Sequence, residues 1–158
     1  MKYIKPAIVI FIFTISLMII GKIFWEQELK YTQPTPVPDG YTAIPVNQLL
    51  DQNISLLQKS RRPKHLHFYN PDCPCSRFNM SHFSSLVRKY SKKIDFYIVL
   101  PTAEHLEAIA AEFGNAVPVI ADPDDKLAKA CGVYSTPQAV VIDTSGKLYF
   151  YILIKYES

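Results

Sequence analysis

Cys73-Pro74-Cys75, two cysteines flanking a single proline, brings the most reactive side chains of this chain to the closest spacing. Thiolates attack disulfides and bind soft metal ions, so the pair points to thiol–disulfide exchange or metal handling more than to packing. Ahead of it, His65-Leu66-His67-Phe68-Tyr69 is aromatic and apolar with Leu66 and Phe68 on one face, as in a strand; Asn70-Pro71-Asp72 breaks it. Beyond it, Phe78, Phe83, Leu86, Val87 and Tyr90 fall close to helical spacing. The cysteines therefore sit on a strand-to-helix turn. Proline is accommodated in the first turn of a helix and pushes the preceding residue toward extended backbone. That places Cys73 near the N-cap and Cys75 in the first turn, where unpaired N–H groups and the positive dipole end favour a thiolate. A bridge between residues i and i+2 closes a small ring, and strain is expected to make it more oxidising and more easily reduced than a structural bridge. Cys73, which precedes the helix, is expected to be the more exposed and the attacking thiol.

The rest of the chain must hold that turn. Tyr41 to Val46 reads as a first strand, confined to an edge by Pro45. Asn47 suits the N-cap of a helix with Leu50, Ile54 and Leu57 as its apolar face, and Lys59 to Lys64 reads as a basic loop. After the cysteine-bearing helix, Ile94 to Leu100 is an apolar strand, and Thr102 can cap a helix that runs to Phe113 and ends at Gly114. Val117 to Ile120 reads as a buried strand, and Asp124 to Ala130 as a short helix closed by Gly132. Gln138 to Ile142 and Leu148 to Lys155 form a hairpin around Asp143-Thr144-Ser145-Gly146. Strands alternating with helices, then a hairpin, predict an α/β fold with a mixed sheet.

Phe68-Tyr69-Asn70-Pro71-Asp72-Cys73-Pro74-Cys75 resembles the redox turn of the thioredoxin-like superfamily, with Cys-Pro-Cys in place of Cys-x-x-Cys. Val117-Pro118-Val119-Ile120-Ala121-Asp122-Pro123-Asp124, Gly132-Val133-Tyr134-Ser135-Thr136-Pro137 and Ala139-Val140-Val141-Ile142-Asp143 are similar to the membrane-anchored thioredoxin-like (redoxin) reductases and the peroxiredoxin-like branch. The resemblance implies a thioredoxin-like three-layer sandwich with a central mixed sheet, and catalysis by Cys73 and Cys75. It implies a cis Thr136-Pro137 bond facing the cysteines, with a backbone edge that binds substrate and denies metal access to the thiolates. His67 lies where that family often carries a buried proton acceptor for the resolving thiol; the alternative is an ordinary strand histidine. No cofactor is implied. The helix that usually follows the last hairpin in that family has no counterpart before Ser158, so either extra segments or a partner are expected to cover one sheet face, or the sequence is truncated relative to its relatives. His82, two turns past Cys75, reads as a surface residue. Cys131 reads as a third redox thiol or as a small apolar residue ending a helix. A peroxidase is disfavoured, since no Pro-x-x-x-Thr-x-x-Cys pattern surrounds Cys75.

Ala7 to Ile20 is apolar except for Thr14 and Ser16, follows Lys2 and Lys5, and precedes Lys22 and Phe24-Trp25. Residues 1–25 are expected to form an uncleaved transmembrane anchor, with a cleaved signal peptide as the alternative. Residues 26–40 form a proline-rich linker and residues 41–158 the globular domain; the alternate prolines at 34, 36 and 38 favour a stiff extended spacer. Of 17 Lys and Arg, three lie in the first 25 residues, leaving 14 against 14 acids. That neutrality removes the electrostatic case for nucleic acid. The expected function is a membrane-tethered, extracytoplasmic thiol–disulfide oxidoreductase of the bacterial inner membrane, facing periplasm or exterior. Its partners would be a protein thiol or disulfide substrate and a redox partner protein. The rivals are a copper-binding metallochaperone and a redox-silent interaction module.

Overall fold

The computed structural model describes residues 4–29 and 36–153. It divides into two compact units, residues 1–35 and 36–158. In the first, helix α1 (Ile4–Phe24) runs into a π-helical turn at Trp25–Leu29. At 21 residues and 1.5 Å per residue, α1 is about 31 Å long, the thickness of a bilayer's hydrocarbon core. Its described Ile, Phe, Leu and Met side chains, from Ile8 to Phe24, are exposed.

The second unit is built on five strands: β1 (Lys64–Phe68), β2 (Asp95–Leu100), β3 (Val119–Ala121), β4 (Gln138–Ile142) and β5 (Leu148–Leu153). They order as β3-β2-β1-β4-β5, with β1, β2 and β3 parallel and β4 and β5 antiparallel to their neighbours. This is the expected α/β architecture with a mixed sheet. On one face, helices α2 (Pro74–Tyr90) and α3 (Leu106–Phe113) bury Met80, Phe83 and Val87 against Tyr69, Phe96, Ile98 and Leu100. The other face carries Leu66, Phe68, Val99, Val140 and Ile142 beneath Leu50, Leu57 and Leu127, the last from the short helix α4 (Lys126–Ala130).

The cover on that second face departs from expectation. Residues 41–46 form no strand, and the helix expected after Asn47 is reduced to a 3-10 turn at Ser55–Leu57. Leu50 and Leu57 are nevertheless buried and Ile54 packs against them. The backbone bonds explain the difference. Asn47 has φ 70° and donates its N–H to Leu148 O at 2.7 Å, while Leu50 N–H donates to Gly146 O and Leu148 N–H to Gln48 O. Leu49 bridges Lys147. These bonds to the β4–β5 hairpin replace the ones a helix would have made. Asp51 competes as well, accepting from Asn53 N–H. Thr102 caps nothing, since α3 begins after His105. Strand β5 ends at Leu153 within the described residues, and its predicted continuation to Lys155 lies outside them. Tyr149, Phe150, Tyr151 and Ile152 on β5 are exposed.

Candidate functional site

Strand β1 delivers the chain to the site through Tyr69, whose N–H donates to Val99 O at 2.9 Å. Asn70 then folds the turn twice over: its side-chain oxygen accepts from Asp72 N–H at 3.0 Å, and its carbonyl from Cys73 N–H at 3.1 Å. The buried Ser76 hydroxyl reaches back to accept from Asn70 N–H. Cys73 is the N-cap of α2 at φ −91° and ψ 119°, extended as a residue before proline should be, and Pro74 opens the helix. Cys73 O accepts from Ser76 and Arg77 N–H, and Cys75 lies in the first turn.

Cys73 and Cys75 are joined by a disulfide, with Cα atoms 5.4 Å apart. Both are half-buried, so exposure does not single out Cys73 as the attacking thiol. The Thr136-Pro137 bond is cis. Pairing of Phe68 with Gln138 puts Pro137 and the cysteine-bearing turn at the same end of neighbouring strands. The dipole end, the sulfur pair and the cis-proline loop therefore share one corner of the domain.

His67 is fully buried one residue before Phe68, its ring stacked on Phe83 at 4.7 Å and near Tyr69 and His65. Its Nε2 has no hydrogen-bond partner, so no bond from that nitrogen reaches either cysteine. Burial pushes its pKa down to about 3, helped by the like charge of His65 and His82, and burial pushes His65 down to about 4. Both imidazoles are neutral at pH 7. His82 is exposed, as expected. Cys131 caps the C-terminus of α4 inside the core beneath the second face, and burial, then the Asp122 charge, pushes its thiol up to about 12. Of the two readings of Cys131, the packed small residue agrees with this environment.

Two neighbours of the turn escaped the sequence. His105 Nε2 lies 3.4 Å from Asp72 Oδ1, tying the loop before α3 to the residue ahead of Cys73. Asn79 donates to Cys75 O at 3.0 Å. Asn79 follows one turn after Cys75 and was legible in principle; His105 is distant in sequence and carried no signal. Among the described residues, no three His, Cys, Asp or Glu side chains converge on a point that could hold a metal ion.

Solved structures share this fold at low identity. A hypothetical protein from Sinorhizobium meliloti superposes with TM-score 0.59 at 16% identity, covering 74% of this chain and 75% of that one. The thioredoxin domain of a thiol-disulfide oxidoreductase from Bacteroides vulgatus matches with TM-score 0.51 at 11% identity, over 70% and 90%. The dsbF protein of MTB, solved in mixed oxidized and reduced forms, matches with TM-score 0.52 at 16% identity, over 61% and 72%. None of the curated proteins matches this chain. The fold is thus thioredoxin-like, with a close cysteine pair at the turn from β1 into α2. Residues 44–151 match one family throughout, and the chain belongs to that family, described as Domain of unknown function (DUF6436).

Proposed function

We propose that this protein is a thiol–disulfide oxidoreductase working through Cys73 and Cys75. The observation that carries the reading is the disulfide at the N-terminus of α2, beside the cis Thr136-Pro137 loop. In the reduced protein one thiolate attacks a disulfide of a protein substrate, forming a mixed disulfide and releasing one substrate sulfur as thiolate. The second cysteine, as thiolate, displaces the remaining substrate sulfur, so the substrate gains two electrons and Cys73–Cys75 becomes the disulfide. A dithiol partner protein restores the reduced pair by the same two steps. Thr136 and Pro137 offer the substrate backbone an edge. His67, on the strand that leads into the turn, is neutral and has an unpaired Nε2, which is the form needed to accept a proton from the resolving thiol.

The exposed apolar α1 and the proline-rich segment support a membrane tether, with the domain in an oxidising compartment outside the cytoplasm, where disulfides persist. The test is a titration of the full chain in detergent against glutathione redox buffers, followed by alkylation and mass measurement. A reversible two-electron transition, absent in Cys73→Ser and Cys75→Ser, is expected. Absence of any such transition at every poise sinks the reading. For placement, an impermeant maleimide applied to intact spheroplasts should label the reduced pair, and protection until lysis would overturn it.

A further inference from the structure

A cavity of about 560 Å³ opens at the same end of the sheet, on the Phe68 side, and no step of the exchange uses it. Its floor is Phe68, Val99, Leu100 and Val133; its walls are the Pro38–Thr42 segment and the loop running from Gly132 to Thr136. Tyr41 ties the walls together: its hydroxyl donates to Gly132 O at 2.7 Å, and its ring meets Tyr134 edge-on at 4.7 Å. A segment leading out of the linker thus forms part of a preshaped, mainly apolar pocket. That volume suits a small ligand or one large side chain with part of its neighbour.

Three features say what enters. Thr136, next to the cis Pro137, lines the pocket, so a chain lying along that loop can reach both the pocket and the end of the sheet where Cys73 and Cys75 stand. Among the described residues, the backbone of Thr136 makes no hydrogen bond outside regular structure, leaving an edge for an extended chain. The charged residues lining it are Asp39, Asp122 and Asp125 against Lys129. Asp122 is spent, its two oxygens accepting from Leu127 and Ala128 N–H, but Asp39 and Asp125 are exposed at the mouth. An apolar floor under an acidic rim complements a bulky apolar side chain next to a cation.

We infer that this pocket selects the substrate: a polypeptide that pairs with the Thr136 edge and seats an aromatic or large aliphatic residue, with a Lys or Arg neighbour, in the Tyr41–Tyr134 pocket. The inference rests on the oxidoreductase reading for its purpose, but binding tests it without any redox step. The probe is a labelled nonapeptide with Lys-Phe beside a Ser that stands for cysteine, titrated by anisotropy against the full chain in detergent. Its counterpart carries Glu-Ala. Binding about tenfold tighter for the Lys-Phe peptide is expected. Thr42→Trp, at an exposed position on the wall, should fill the pocket and erase the difference. Tyr41→Ala, which opens the wall, should erase it as well if Thr42→Trp misfolds. Equal binding of the two peptides, or a preference untouched by both variants, overturns the proposal, as does binding of small aromatic compounds without either peptide. Preferential binding with no exchange on the matching cysteine peptides upholds the pocket and removes the oxidoreductase reading instead.

Discussion

The two faces of the sheet are covered by opposite means. The α2/α3 face is closed by amphipathic helices meeting an aromatic cluster, in which Phe83 touches His65, His67, Phe96 and Phe113. The opposite face is closed by α4 and an irregular segment held down by individual polar bonds. Lys64, buried at the start of β1, donates to Leu56 O at 2.8 Å and Gln58 O at 2.6 Å, and Gln52 donates to Leu50 O and Leu57 O. Burial lowers the Lys64 pKa, yet the ammonium keeps two carbonyl partners. Both faces bury apolar area, but only the second adds stitches from side chains to backbone carbonyls across its irregular cover. The cysteine-bearing turn sits on the first and the pocket on the second.

The comparison breaks most severely at Phe83. Phe83→Ala removes a fully buried ring from four aromatic partners and should cost about 4 kcal/mol, measured by denaturant unfolding. A loss below about 1 kcal/mol would mean the helices are held by something other than that cluster. The same face should fail first in acid. His65 and His67 are held near 4 and 3 in the folded protein against 6.5 unfolded, so below pH 6.5 only the unfolded chain takes up their protons. Stability present above pH 6.5 therefore drains as pH falls. From pH 7 to 5.5 the two together should cost about 2.5 kcal/mol. His65→Phe with His67→Phe should flatten that dependence; an unchanged slope would show that the imidazoles are not neutral and buried.

On the stitched face the sharpest probe is Gly146, which has φ +84° in the hairpin turn. An added Cβ would stand 2.8 Å from Gln52 Nε2 and from Leu57 O. Gly146→Ala should cost about 2 kcal/mol, from the backbone conformation and the loosened cover together, while the redox transition stays where it was. A shift in that transition would couple the two faces more tightly than their contacts suggest.

This contrast also explains what the sequence disclosed. Helical periodicity from Phe78 to Tyr90, the strand alternation at Leu66 and Phe68, and the proline after Cys73 are local signals, and they located the strand-to-helix turn that carries the cysteines. Leu50, Ile54 and Leu57 had helical spacing too, and their burial was legible. Their conformation was not, because it is decided by bonds to Gly146 and Leu148, which are remote in sequence. Lys64 read as part of a basic loop for the same reason: its partners are carbonyls, which composition does not reveal. At the site, the residues adjacent to the cysteines were readable, whereas His105 and Tyr41 reach it only through the fold.

Cys131 offers the gentlest test. It lies under the stitched face, fully buried, with its thiol pushed up to about 12, whereas Cys73 and Cys75 stand half-buried at a helix N-terminus. Thiolate is the reactive form, so at pH 8 Cys131 should be almost entirely protonated and shielded. The native, reduced protein should then lose two thiols quickly to a maleimide, and the third only after denaturant is added. Cys131→Ala should leave the redox titration unmoved and cost about 1 kcal/mol, since a single sulfur is removed from a core that can partly close around it. Three thiols reacting alike in the native state would place Cys131 with the redox pair and reopen its role as a third participant in exchange.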